Sequence, residues 1–205
     1  MIGFYNYTVI LTYFSLLSAL FGTHLAFNGN YICALICLLY CCFFDSFDGI
    51  VARTKKDRTN EEKQFGIQID SLVDMFSFGI FPAIIGYSMG LKSCLWFVVF
   101  ALYAICAVSR LGYFNVAEEM RQKETSEKRK FYQGLPVTCS SLIFPAIYLL
   151  NYMCDASLVN TIYGFVMLAV ALAFVIDFKV IKPGLKGILG MGVVGIFIML
   201  GLILL

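Results

Sequence analysis

An all-α bundle of membrane-spanning helices is the fold this sequence predicts, and three observations predict it. Of the 205 residues, 60% are hydrophobic and only 14% charged, with a mean hydropathy of +0.85. A water-soluble domain of this size has too little interior to hide that much apolar surface. The apolar residues also run in blocks that approach the roughly 20 residues a helix needs to cross a bilayer. Finally, the basic residues collect between alternate blocks. The expected architecture is a polytopic transmembrane helical bundle, a six-helix core plus one C-terminal span, with residues 1–205 forming a single integral-membrane domain.

Taken in order, the spans are expected at 8–27, 31–48, 70–90, 94–115, 135–153, 158–177 and 187–205. The N-terminus lacks a basic segment and a small-residue cleavage site, so the first span is expected to remain as a membrane helix. The second closes on acidic residues and is expected to stay helical past the membrane surface through Arg53. The third opens on acidic residues. The fourth carries Arg110 near one end, and the seventh is rich in glycine.

The 15 Lys and Arg residues orient the bundle. Arg53, Lys55, Lys56, Arg58 and Lys63 lie between spans two and three. Arg121, Lys123, Lys128, Arg129 and Lys130 lie between spans four and five, and Lys179, Lys182 and Lys186 between spans six and seven. Only Lys92 falls in a loop of opposite parity. The positive-inside rule then makes the three charged loops and the N-terminus cytoplasmic, in a multi-pass protein of the cell membrane. Within those loops, Glu61, Glu62, Glu118, Glu119, Glu124 and Glu127 read as solubilising charge. Eight cysteines form no CxxC pair; Cys33, Cys37 and Cys41 at i,i+4 read as small packing residues. Basic residues set against a membrane, with no aromatic stacking module, argue against nucleic acid as a partner.

Chemistry concentrates in four aspartates. Asp45 and Asp48 share a helix face at i,i+3, and Asp70 and Asp74 share one at i,i+4. Four carboxylates between two helix ends repel unless cations sit among them. Oxygen-only ligands select hard divalent ions, Mg²⁺, Mn²⁺ or Ca²⁺, over zinc. Two such ions beside a membrane suggest phosphoryl chemistry on a lipid. Gly49 and Ala52 leave space on the same side of the second span for a flat group or a phosphate chain. Arg53 offers a planar fork to phosphate or a pyrimidine carbonyl. Gly66 precedes Asp70 and Asp74 at the same four-residue spacing. An ion pathway of a transporter is the alternative. Transporters bind near the bilayer midplane, whereas these acids lie at helix ends, and the later half offers only Asp155 and Asp177.

These residues resemble the signature of the CDP-alcohol phosphatidyltransferases, D-x2-D-G-x2-A-R-x8-G-x3-D-x3-D. Asp45, Asp48, Gly49, Ala52, Arg53, Gly66, Asp70 and Asp74 match every defined position. The departure is the connection Thr54–Phe65, twelve residues against the usual eight. Further stretches, DSLVDMFSFG from Asp70, SRLGYFN from Ser109 and FYQGLP from Phe131, resemble the bacterial and archaeal phosphatidylserine synthases within that family.

The resemblance implies a catalytic domain that moves the phosphatidyl group of CDP-diacylglycerol onto L-serine, releasing CMP. Glycerol 3-phosphate, inositol phosphate or another polar alcohol remain alternative acceptors. It implies two divalent cations, Mg²⁺ or Mn²⁺ ahead of Ca²⁺, held by Asp45, Asp48, Asp70 and Asp74, with Asp74 also the general base. Gly49, Ala52, Arg53 and Gly66 match the nucleotide-binding positions. A homodimer through the outer helices is implied as well. An arginine within a span is costly, which makes Arg110 a candidate for the serine carboxylate or a lipid phosphate. Asn115 and Gln133 are further acceptor candidates. Arg129 and Lys130 suit lipid headgroups as surface cations.

Overall fold

The computed structural model describes residues 3–124, 131–181 and 184–205. It begins with an antiparallel hairpin of α1 (Ile10–Phe27) and α2 (Tyr31–Ala52). Gly29, at a φ of +78°, makes the reversal, and the Asn30 side chain caps α2 by accepting the Cys33 amide at 3.3 Å. Small residues bring the two helices together. A Cβ on Gly22 would lie 2.8 Å from Cys37 Cβ and 2.3 Å from the Phe81 ring, so only glycine fits. Ser18 Oγ donates to the Cys37 carbonyl at 2.9 Å. Cys37 and Cys41 are buried in this seam, and all eight cysteines are free thiols.

The next rod is continuous from Asn60 to Ser88. It starts ten residues before the expected span, as the polar helix α3 (Asn60–Asp74). Thr59 and Glu62 form a capping box there: Glu62 N–H reaches Thr59 Oγ1 at 3.2 Å, and Thr59 N–H reaches the Glu62 carboxylate at 3.1 Å. After Asp74 the helix widens into a π-turn, Met75–Ile80, and continues as α4 (Phe81–Ser88). Pro82 has no N–H for the Phe78 carbonyl four residues back. The Tyr103 hydroxyl, from α5 (Cys94–Glu124), donates to that carbonyl at 2.6 Å, in the middle of the core.

Phe131–Gln133 (β1) pairs antiparallel with Lys179–Ile181 (β2), a small ribbon that helix periodicity gave no reason to expect. The expected fifth span is composite: 3₁₀ turns at Val137–Cys139 and Leu149–Tyr152 flank a short α6 (Ser140–Tyr148) that contains Pro145. α7 (Ala156–Val175) packs on α5, where Trp96 covers Gly164. α8 (Leu185–Leu204) lies against α2 and α6, and Tyr152 Oη donates to the Gly201 carbonyl at 2.7 Å. Tyr103, Tyr163, Phe78, Phe81, Phe144 and Phe174 fill the interior.

Among the described residues, five helical segments are long and apolar enough to span a membrane, and Val137–Tyr152 and Leu189–Leu204 are shorter apolar ones. Phe97, Ile105, Phe165 and Phe197 project outward, more than 60% exposed, which suits lipid rather than water. The protein is a polytopic membrane helical bundle. The α2–α3 connection, the C-terminal part of α5 and the ribbon gather at one end, joined for example by Asn115 Nδ2 donating to Ser71 Oγ at 2.8 Å. The opposite end is tied by Tyr31 Oη to the Ser88 carbonyl at 2.8 Å.

Removing the Tyr103 hydroxyl takes a buried hydrogen bond from the Phe78 carbonyl in the core. We expect Tyr103→Phe to destabilise the protein by about 1–3 kcal/mol. Tyr113→Phe, which loses an exposed hydrogen bond, should change stability by less than about 0.5 kcal/mol. Thermal unfolding of the two purified variants checks this; equal midpoints would show that the π-turn does not depend on Tyr103.

Candidate metal centre

The centre is built where α2 ends and α3 approaches the membrane. Asp45, Asp48, Gly49 and Ala52 occupy the last turns of α2, and Gly66, Asp70 and Asp74 line one side of α3. Asp45, Asp70 and Asp74 each offer an oxygen within 4.8 Å of the other two. One ion with oxygen ligands at about 2.0–2.6 Å can bridge that spacing. Asp48 stands almost one turn beyond Asp45 on α2. Asp48 is oriented by α1, where Thr12 Oγ1 donates to its Oδ2 at 3.2 Å. All four acids are half-buried. The salt bridges of the described residues, Lys55–Glu62 and Arg121–Glu118, involve none of them. An all-oxygen set without a salt-bridging side chain fits a hard divalent cation.

The small residues differ in what they face. A Cβ on Gly49 would meet nothing within 4 Å, so this side of α2 is open. A Cβ on Gly66 would meet Arg58 Nη2 at 2.6 Å. Arg53 is the exposed C-cap of α2, its amide donating to the Ile50 carbonyl at 3.2 Å.

The remaining candidates divide between two places. Arg110 and Gln133 line one cavity of about 380 Å³ with Ser109, Tyr113, Phe174 and Asp177. Arg110 is 6% exposed. Its Nε donates to the Leu135 carbonyl at 2.9 Å and Nη2 to that of Gly134 at 3.4 Å. Tyr113 Oη donates to Gln133 Oε1 at 2.8 Å. The cavity wall depends on Gly134, whose φ is +68° and whose missing Cβ would fall 2.9 Å from the Phe174 carbonyl. Asn115 stands apart, bonded to Ser71 between the two α3 aspartates. Arg129 and Lys130 lie outside the described residues.

Several contributors were not singled out in the sequence. Thr12 is one hydroxyl in an apolar span, and only the folded hairpin brings it to Asp48. Glu62, read as solubilising charge, is instead a junction. It accepts from Lys55 Nζ at 2.7 Å and Asn6 Nδ2 at 3.1 Å and completes the cap of α3. The Glu62 carboxylate beside it raises the Lys55 pKa above the usual lysine value. The T-x-x-E spacing at Thr59 was the available signal for this capping box.

Comparison with known proteins agrees with this geometry. Residues 5–177 match the profile of the CDP-alcohol phosphatidyltransferase family, and the chain belongs to that family. It is 34% identical over 107 residues to a CDP-diacylglycerol–serine O-phosphatidyltransferase of Saccharomyces cerevisiae, covering 51% of this chain and 37% of that protein. It is 31% identical over 152 residues to an archaetidylserine synthase of Methanothermobacter thermautotrophicus, covering 74% and 59%. With the serine phosphatidyltransferase of Bacillus subtilis, identity is 33% over 107 residues, covering 44% and 58%. The chain thus spans between about a third and three fifths of the length of these relatives. α8 lies beyond the family match. Family members generally depend on divalent cations, and the aspartate triad could hold one.

If the triad holds an ion, Mn²⁺ at about one hundred times its Kd should stabilise the protein by about 2.7 kcal/mol. Asp45→Asn, Asp70→Asn and Asp74→Asn should each lose most of that increment in a thermal-shift titration. An increment unchanged in all three variants would place the ion elsewhere.

Proposed function

We propose that the protein transfers the phosphatidyl group of CDP-diacylglycerol to L-serine, giving phosphatidylserine and CMP. The observation that carries this reading is the convergence of Asp45, Asp70 and Asp74, with Asp48 beside them, on two helices that match the family motif. Serine as acceptor is supported by relatives named for serine. Two divalent cations, Mg²⁺ or Mn²⁺, held by the four aspartates would neutralise the donor diphosphate and favour attack at the lipid-bearing phosphorus. The remaining work falls to the protein's own groups.

Gly49 leaves the nucleotide face of α2 open, and Arg53, Ala52 and Gly66 border it. Asp74 is the general base that takes the proton from the serine hydroxyl, a poor nucleophile at neutral pH. Arg110, inside the cavity with Gln133, receives the serine carboxylate, while Asn115 steadies α3 through Ser71. A direct displacement suits this inventory. His24 stands twelve residues along α1 from Thr12, roughly 18 Å away at 1.5 Å per residue. Ser46 and Ser77 bond to the Cys42 carbonyl and to Ser15, and neither has a His or Lys next to it in the sequence.

The whole chain serves as one integral-membrane catalytic domain. The end bearing the aspartates faces the cytoplasm, where serine is available and CMP is released, and the protein resides in the cell membrane. A homodimer through the outer helices belongs to the same reading.

Purified protein given CDP-diacylglycerol, Mn²⁺ and a panel of alcohols should release CMP fastest with serine. Asp74→Asn should reduce that rate by a factor of about 10² or more. Release with glycerol 3-phosphate or inositol phosphate instead of serine would reassign the acceptor, and no release with any alcohol would end the transferase reading. Arg110→Lys keeps the charge but loses the fork. It should raise KM for serine far more than KM for CDP-diacylglycerol; equal effects on both would make Arg110 a brace for the Gly134 loop.

A further inference from the structure

The lengthened connection between α2 and α3 places a cation that the family motif does not contain. Arg58 Nη1 donates to the Ala52 carbonyl at 3.4 Å, and Nη2 donates to the Glu62 carbonyl at 3.1 Å. The guanidinium therefore spans the end of α2 and the first turns of α3. Nη2 also lies over Gly66, 2.6 Å from where a Cβ would stand. Ala52 is one turn beyond Asp48, and Gly66 is one turn before Asp70. At 1.5 Å per residue, Arg58 is anchored about 6 Å outward from the carboxylates, along the same faces of both helices.

Its hydrogen bonding is incomplete. A guanidinium has five N–H donors, and two bonds to carbonyls leave the others over. Arg58 Nε is buried and has no hydrogen-bond partner among the described residues. A buried charged donor without an acceptor is costly, which leaves the second hydrogens of Nη1 and Nη2 as the donors for an outside group. The side chain is also held ready. Lys55 to Glu62, Asn6 to Glu62 and the Thr59 capping box tie the connection to the N-terminal segment and to α3. A planar cation fixed beside a carboxylate-bound cation site is complementary to a phosphate that extends outward from it.

We propose that Arg58 is a nucleotide-contacting residue, its guanidinium hydrogen-bonding a phosphate oxygen of the cytidylyl leaving group. This rests on the reading of the donor as a CDP-linked lipid. The twelve-residue connection is then part of the donor site, supplying a second arginine beside Arg53.

CMP binding by the purified full chain, measured calorimetrically in Mn²⁺, tests this. Arg58→Ala should weaken CMP binding by about tenfold or more. KM for CDP-diacylglycerol should rise in step, with KM for serine changed less than about twofold. Arg58→Lys should recover part of the loss, through charge without the fork. Lys55→Ala opens the part-buried bridge to Glu62 but leaves Arg58, and should keep CMP affinity within about threefold, since Lys55 itself holds Glu62 and not the ligand. Arg58→Ala that binds CMP like the wild type would overturn the inference. So would a Lys55→Ala loss as large as that of Arg58→Ala, since the guanidinium would then only prop the connection. Should Arg58→Ala fail to fold, Arg58→Gln and Arg58→Lys carry the same comparison. Wild-type protein that binds no CMP would remove the donor reading itself, and the inference with it. Normal wild-type binding with indifferent Arg58 variants would remove the inference alone.

Discussion

Mutual repulsion among four carboxylates is the constraint on which the rest of this structure depends. Two unit charges about 4 Å apart near a protein surface repel by about 4 kcal/mol, against a typical domain stability of about 5–15 kcal/mol. Asp45, Asp70 and Asp74 lie close enough to share an ion, so α2 and α3 must be held together at the point where their charges push them apart. The surrounding elements supply that restraint. α1 packs along α2 and offers Thr12 to Asp48. The α2–α3 connection is braced at Glu62 and by Arg58 across both helix ends. Beyond Asp74, the π-turn and the bond from Tyr103 to the Phe78 carbonyl anchor α3 in the apolar core. A cation among the carboxylates converts the repulsion into attraction. Such an arrangement couples metal affinity to the packing of three helices.

The donor and acceptor sides rest on different kinds of structure. The proposed donor side is made from the ends of regular helices, where residues at four-residue spacing repeat on one face. The proposed acceptor side is made from irregular backbone: the β1–β2 ribbon, Gly134 in the left-handed region, and the loop whose carbonyls Arg110 binds. Arg110 buries its charge against those carbonyls, so one side chain both shapes the cavity and lines it. Irregular backbone at a membrane surface is tolerated where its polar groups are satisfied, and here the Gly134 amide reaches the Phe178 carbonyl at 2.8 Å.

What the sequence made legible follows from this division. The coming together of Asp45, Asp70 and Asp74 was readable because helical periodicity turns the spacing of the two aspartate pairs into one face on each helix. The membrane bundle was readable from hydropathy, with two exceptions of physical origin. α3 begins at Asn60 because a capping box starts a polar helix there, which an apolarity window passes over. The segment 137–152 breaks into 3₁₀ and α pieces around Pro145, although its composition is that of a simple span. Thr12 and Arg58 depend on contacts between residues distant along the chain or across a connection, and no local pattern marks them. The ribbon escaped notice for the same reason, because its strands are three residues each and lie far apart in sequence.

The central claim is that the facing ends of α2 and α3 are a two-cation site. Anomalous diffraction at the manganese edge, from crystals grown with Mn²⁺ and CMP, tests it most directly. The account predicts two peaks between α2 and α3, each within roughly 2.0–2.6 Å of carboxylate oxygens, with Asp45, Asp48, Asp70 and Asp74 all used. Strong peaks elsewhere in the protein, with none between these helices, would contradict it.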